Sequence, residues 1–384
     1  MAARVDELAP TLVEVSHQIY DHPELGFEEL FAHDLLATTL EDHQVAVTRR
    51  AFGLDTAFVG RAGREGPVVA ICCEYDALPG MGHACGHNII AAAGLGAGLA
   101  AAALAEEAGG RVRIVGTPAE EGGAGKVHLL RRGAFDGVDA AMMVHPAGAD
   151  LSTMGVLAAA VVDVEYRGQA AHAAAFPERG RNALDAAVLG YLNVAALRQH
   201  IRATERVHGV FTNGGDKPNV VPERTSMQWM VRAARVADLA PLQARVLACL
   251  EAGAHATGCT VEHRHPAPDY ADMVDNPVLL DLFAANAAQL GRRLADPADP
   301  GTPAVVGSTD MGNVSYAVPS IHPMIKVAPP EVSLHSPQFA HHAASAAGDR
   351  AVVDGAKAMA LTVADLWCRP GCLGQLRAAF SPPR

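Results

Sequence analysis

A chain of 384 residues, 50% apolar and 19% charged, can bury a sizeable core, is no disordered polypeptide, and exceeds one typical domain without requiring three. A formal net charge of −12 excludes the basic footprint that nucleic acids and anionic membranes require. The seven cysteines are scattered and form no disulfide framework. Acids near the amino terminus occupy positions where a signal peptide needs an apolar core, and no apolar run reads as a membrane span, so cytoplasmic residence is expected.

Apolar residues recur at helical spacing over 5–20. His22-Pro23 interrupts them, and a second helix is expected over 28–40. Residues 45–49, 56–60 and 67–73 read as strands, the last followed by a loop and an alanine-rich helix over 89–105. The stretch 71–88 concentrates three cysteines, two acids and two histidines at that strand-to-helix turn, where sites gather in open α/β sheets. Cys85 and His87, separated by Gly86, can turn toward one point, and thiolate with imidazole suits a borderline metal such as zinc. The start of the following helix would favour the Cys85 thiolate. A buried free cysteine beside a capping histidine is the competing reading.

Residues 111–116 form another strand, stopped by Thr117-Pro118 and followed by Glu120-Glu121. Neighbouring strand residues face opposite ways, so two adjacent acids serve one site only where the strand has ended. One can hold a metal while the other takes a proton from water. A third strand, 140–144, ends at His145-Pro146. Three successive strand ends thus offer metal-ligand types.

From residue 157 to 267 the order is βαββαβ. Strands are expected over 160–166, 208–212, 226–232 and 259–265, with helices over 182–199 and 238–258, the second capped by Asp238 with Pro241 in its first turn. This order predicts a ferredoxin-like sheet with two helices on one face, inserted into the larger domain. The remaining segment returns to helix (275–290), a polar loop at 307–312, a strand (320–327), His335 in a turn before Pro337, and a last helix (351–366). His341 and His342 read as exposed residues just ahead of that helix. The fold class expected is therefore α/β: a catalytic domain (1–156 and 268–384) with a mixed central sheet flanked by helices, and an inserted α+β domain (157–267).

These pieces in this order resemble the dinuclear metallopeptidase and amidohydrolase family of aminoacylases, hippurate hydrolases and p-aminobenzoyl-glutamate hydrolases. The motifs are Glu74-Tyr75-Asp76-Ala77-Leu78-Pro79, His83-Ala84-Cys85-Gly86-His87, Pro118-Ala119-Glu120-Glu121-Gly122-Gly123, His145-Pro146, Ala171-His172-Ala173-Ala174 and Leu334-His335-Ser336-Pro337. Residues 79–88 and Arg206-Val207-His208-Gly209 resemble the branch that cleaves dipeptides such as β-alanyl-lysine. The resemblance implies two divalent ions, zinc or manganese, held by Cys85, His87, Glu121, His145 and His335, with Asp76 orienting a ligand and Glu120 as general base toward metal-activated water. It implies that the inserted domain is a lid and homodimer interface, that His172 stabilises the oxyanion across that interface, and that Asn219, Arg232 and the loop at Thr309 contact substrate. The expected substrate is a small dipeptide or N-acyl amino acid. Two departures stand out: relatives carry aspartate at the position of Asn88, and more distant ones histidine at Glu74. Two other readings remain open: a catalytically silent metal-binding protein, and an amidase using Cys85 as nucleophile with His87.

Overall fold

The computed structural model describes residues 1–303 and 305–381. The chain separates into two compact units, Met1–Gly155 with Met273–Arg384, and Val156–Asp272.

In chain order the first unit holds α1 (Ala2–Asp21), α2 (Leu30–Asp42), β1 (Ala46–Arg49), β2 (Phe58–Ala62), β3 (Val68–Cys73), α3 (His87–Ala102), β4 (Arg111–Gly116), α4 (Gly125–Arg131), β5 (Ala140–Met142) and β6 (His145–Ala147). The second unit holds β7 (Ala158–Arg167), α5 (Ala183–Leu197), β8 (Arg206–Asn213), β9 (Arg224–Ala233), α6 (Val236–Thr257) and β10 (Thr260–Arg264). The return segment adds α7 (Pro277–Gln289), β11 (Ser320–Ile321), β12 (Met324–Lys326) and α8 (Ala346–Cys368) to the first unit.

The central sheet has the order β1-β2-β4-β3-β5-β11, antiparallel from β1 to β4 and parallel from β4 to β11. All six residues of β3 are buried, as a parallel strand covered on both faces must be. Its side chains divide by the strand period of two. Val69, Ile71 and Cys73 pack with α1, α3 and α8, while Ala70 and Cys72 pack with Val115, Leu129 and Met311 on the opposite face.

The second unit is a four-stranded antiparallel sheet of order β10-β7-β9-β8, the ferredoxin-like arrangement its βαββαβ order predicts. One face, including Tyr166, Trp229 and Val231, is buried under α5 and α6. The other carries paired charges such as Arg264 with Asp163 and Arg224 with Glu165. Among the described residues, no helix is long and apolar enough to cross a membrane.

Four expectations are corrected. Asp238 does not cap α6: the helix begins two residues earlier, the Asp272 carboxylate accepts the first amide at 2.8 Å, and Asp238 pairs with Arg202 and Arg235. Pro241 consequently lies inside the helix. The strand expected over 320–327 is broken into β11 and β12 at His322-Pro323, because proline has no N–H to donate to a ladder. The alanine-rich helix starts at His87, so a ligand candidate occupies its first turn. The strand expected over 140–144 stops at Met142, and His145-Pro146 opens β6, paired with β12, instead of ending that strand; His341 and His342 lie ahead of α8 as expected, in a short helix Pro337–Ala343.

Candidate metal centre and active site

β3 delivers Glu74 and Asp76 just past its carboxyl end, and both are buried. The chain then loops through Cys85-Gly86-His87 into α3. Gly86 has φ +78°, and a Cβ there would lie 2.5 Å from the Pro146 ring, so only glycine brings Cys85 and His87 round on either side of one backbone turn. Cys85 Sγ lies 3.5 Å from His145 Nε2, while His145 Nδ1 donates to the Pro146 carbonyl at 2.8 Å. That bond fixes the tautomer and leaves Nε2 as the ligating atom. His87 is oriented likewise: Nδ1 donates to Asp76 Oδ1 at 3.0 Å, and the other Asp76 oxygen accepts the Glu121 amide at 2.8 Å. One carboxylate thus sets both an imidazole and the backbone of an acid.

On the far side, His335 Nε2 lies 3.2 Å from Glu121 Oε1, and the His335 amide donates to the Ala84 carbonyl at 3.0 Å. His335 is exposed and has φ +59°, a costly conformation for a side chain with a Cβ. The turn before Glu120 is also strained, with Ala119 at φ +56°, and is held by Glu29, whose Oε1 accepts the Ala119 amide at 2.7 Å. Burial, then the charge of Asp76, push the Glu29 carboxyl up to about 7.

Among the described residues four groups have donor atoms within 4.8 Å of one another; besides His87, Glu120 and Glu121, and Glu74, Glu120 and Asp310, two ligand sets match the expected ligands: Cys85, His87 and His145, and Cys85, Glu121 and His335. Cys85 belongs to both. The residues fit a metal centre on their own chemistry. His87 Nε2 is fully buried with no hydrogen-bond partner among the described residues, facing Glu74, Glu120 and Glu121 at 3.5–4.0 Å, an arrangement a cation relieves. Burial, then Glu121, raise the Cys85 thiol well above its ordinary value. Burial and the start of α3 act in opposite directions on this thiol, and a bound cation would supply charge that stabilises sulfur. Burial, followed by the charges of Glu74, Glu121 and Asp310, raises the Glu120 carboxyl well above its usual range.

The structure therefore brings together Asp76, Cys85, His87, Glu120, Glu121, His145 and His335. Thr309 lies in the same unit, 2% exposed, its hydroxyl accepting the Met311 amide at 3.2 Å. His172, Asn219 and Arg232 belong to the second unit. His172 and Asn219 are exposed, and His172 Nδ1 accepts the amides of Ala174 and Ala175 at 3.3 and 3.2 Å, which leaves the proton on Nε2. Arg232 is half-buried on β9, and desolvation lowers its pKa.

Sequence reasoning missed four buried polar residues at the centre. Glu29 falls at the start of the helix expected over 28–40 and Lys126 in a stretch given no reading, and neither was singled out. Glu74 is quoted in a motif but given no role. His322 is 1% exposed, with neither ring nitrogen hydrogen-bonded among the described residues and its ring centroid 5.3 Å from that of His145. The available signal was the repeated His-Pro pair at a strand end, His145-Pro146 and His322-Pro323.

The profile of peptidase family M20/M25/M40 matches residues 70–365. A mouse (Mus musculus) Xaa-Arg dipeptidase is 39% identical over 99% of this chain and 91% of its own length. One component of the p-aminobenzoyl-glutamate hydrolase of Escherichia coli K12 is 38% identical over 65% of this chain and 56% of its own length. Among solved structures, a dinuclear metal-binding peptidase of the M20 family from Bacillus subtilis superposes with a TM-score of 0.70 at 21% identity, covering 94% of this chain and 99% of that one.

Proposed function

The chain belongs to peptidase family M20/M25/M40 and is an enzyme that hydrolyses amide bonds of small dipeptides or N-acyl amino acids; from that premise we propose that it is a dinuclear dipeptidase with Glu120 as general base, acting on dipeptides whose carboxyl-terminal residue is basic. The observation that carries the two-ion reading is that Cys85 is common to two complete ligand sets. Cys85, His87 and His145 would hold one ion, and Cys85, Glu121 and His335 the other, the donor mixture suiting zinc or manganese. Such ions lower the pKa of a water and polarise the amide carbonyl.

Glu120 takes the water's proton and returns it to the leaving amine, as its raised proton affinity allows. Asp76 holds His87 and the Glu121 backbone in register throughout. His172 of a second copy donates its Nε2–H to the developing oxyanion, which the tautomer set by Ala174 and Ala175 supports. Asn219, Arg232 and the Thr309 loop contact the substrate's polar ends. The second unit is the lid and dimerisation domain. Its edge strand β8 and helix α5 expose Phe211, Val188 and Leu192, with Val210 on the other face of the strand, and an edge strand with exposed apolar side chains is a surface for a second copy to cover. The basic specificity rests on the likeness to Xaa-Arg dipeptidase over nearly the full length of both chains.

The test is hydrolysis of dipeptides ending in arginine or lysine, N-acyl amino acids and p-aminobenzoyl-glutamate by metal-stripped protein with zinc, manganese or nothing restored. Metal-dependent turnover ranked toward the basic dipeptides supports the reading. A preference for p-aminobenzoyl-glutamate or acyl amino acids overturns the specificity, and two bound ions per chain without turnover on any substrate points to the silent binder. Sedimentation of the wild type against Leu192→Glu reads the dimer.

A further inference from the structure

Behind the two ligand sets lies a group of charges of which the hydrolytic chemistry uses Glu120 alone. Lys126 on α4 is fully buried, as are Glu74 and Asp310. Its ammonium Nζ lies 2.5 Å from Glu74 Oε1 and 2.5 Å from Asp310 Oδ1, and its backbone amide donates to Asp310 Oδ2 at 2.7 Å. Glu74, Glu120 and Asp310 each bring a carboxylate oxygen within 4.8 Å of the others. Three converging, buried carboxylates are the donor set of a hard divalent cation. Here an ammonium on a four-carbon stem bridges two of the three.

We propose that Lys126 is the resident cation of this third site, a positioning residue that stands in for a metal ion. A buried carboxylate left without a counter-charge is strongly unfavourable, so the ammonium is what allows Glu74 and Asp310 to stay ionised without solvent. It also fixes Glu74 relative to the metal centre. With Oε1 held by Lys126, Oε2 of Glu74 is aimed at His87 Nε2, 3.5 Å away, and Asp310 is tied to the segment that follows Glu120 through the Lys126 amide. A metal ion would do the same, but it would exchange with solvent and be drawn off by chelators, whereas a covalently tethered ammonium cannot leave. The lysine therefore reserves two positions for exchangeable ions and closes the third.

The proposal rests on the hydrolase reading in one readout alone, turnover; the others need no substrate. Lys126→Ala opens the space and removes the charge, and Lys126→Met fills the space without charge. With Lys126→Ala we expect the melting temperature to rise in methyl-, ethyl- or propylammonium chloride but not in sodium chloride of equal ionic strength, or one manganese equivalent to bind beyond the wild-type number, with no such response in wild type or Lys126→Met. Turnover should fall roughly 10–100-fold in both variants, as for groups that orient metal ligands, and recover with the added cation only in Lys126→Ala. Should Lys126→Ala not accumulate, its refolding yield in alkylammonium against sodium chloride reads the same property. Wild-type stability and turnover in Lys126→Met, or a Lys126→Ala protein indifferent to both amines and manganese, overturns the proposal. Wild type without turnover on any substrate would strike the hydrolytic reading and leave these cation responses to be judged separately.

Discussion

The two ligand sets share Cys85 and little else. His87 and His145 are buried, each has its second ring nitrogen hydrogen-bonded, and each opens a regular element, His87 the long helix α3 and His145 the strand β6. Glu121 and His335 sit in turns. His335 is exposed, carries a left-handed backbone, and meets its partner acid directly. One half of the centre is preorganised by packing, and the other is assembled from loops whose strain the rest of the unit must hold. The difference teaches that two ions sharing one thiolate need not be bound with equal strength, because affinity follows how firmly the ligands are held before the ion arrives.

The comparison can be broken in order of effect. Glu120→Gln should cut turnover by about 10²–10⁴-fold, the range for a lost general base, while metal analysis still finds both ions. A parallel loss of metal would make Glu120 a ligand instead. Next, chelator titration should strip the ion of Glu121 and His335 first. His335→Ala should retain one equivalent after dialysis, whereas His145→Ala should lose the tighter one, each with metal affinity weakened by roughly 10–100-fold or more; the opposite order of loss would reverse the assignment. Asp76→Asn tests what the halves have in common. Since Asp76 holds His87 and the Glu121 amide together, both ions should weaken, by about tenfold or more, and loss of only one would show the clamp to be one-sided.

A smaller effect concerns pH. Glu29, which holds the Ala119 turn, has its pKa raised from 4.5 to about 7. The native state binds this proton more tightly than the unfolded chain, so the stabilisation is complete below about pH 4.5 and is lost as pH rises through 7. The shift corresponds to at most about 3 kcal/mol. Chemical denaturation at pH 5 and pH 8 should show Glu29→Gln with a flatter dependence than wild type, and an unchanged slope would remove Glu29 from the account. Smallest of all, His335→Gly in metal-stripped protein should gain about 1 kcal/mol from relief of the positive φ, readable as a raised melting temperature.

Much of this was legible in the sequence because the sites announce themselves at strand ends. Cys85-Gly86-His87, and Glu120-Glu121 after Pro118, combine ligand types with a residue that stops regular structure, and His145-Pro146 follows closely on the end of β5 although it opens β6; local chemistry sufficed to find them. The βαββαβ order of the second unit was equally readable from alternation along β7 and β9. Lys126 was not, because its neighbours on α4, Val127, His128 and Leu129, give no local hint that the lysine points inward; only the meeting of β3, α4 and the Asp310 loop buries it. Asp238 failed for a related reason. A good capping residue was present, but Asp272, 34 positions later, supplies the cap from outside the helix.

The helix α3 has one further consequence. A Cβ at Gly94 would lie 2.6 Å from Cys73 Sγ, at Gly96 2.4 Å from Leu12, and at Gly98 2.4 Å from Ile114. The helix that begins with His87 is thus pressed against the sheet on one side and α1 on another, with no room for even a methyl group. For protein engineering this makes α3 the reference frame: libraries that vary positions 94, 96 or 98 will return mostly misfolded chains.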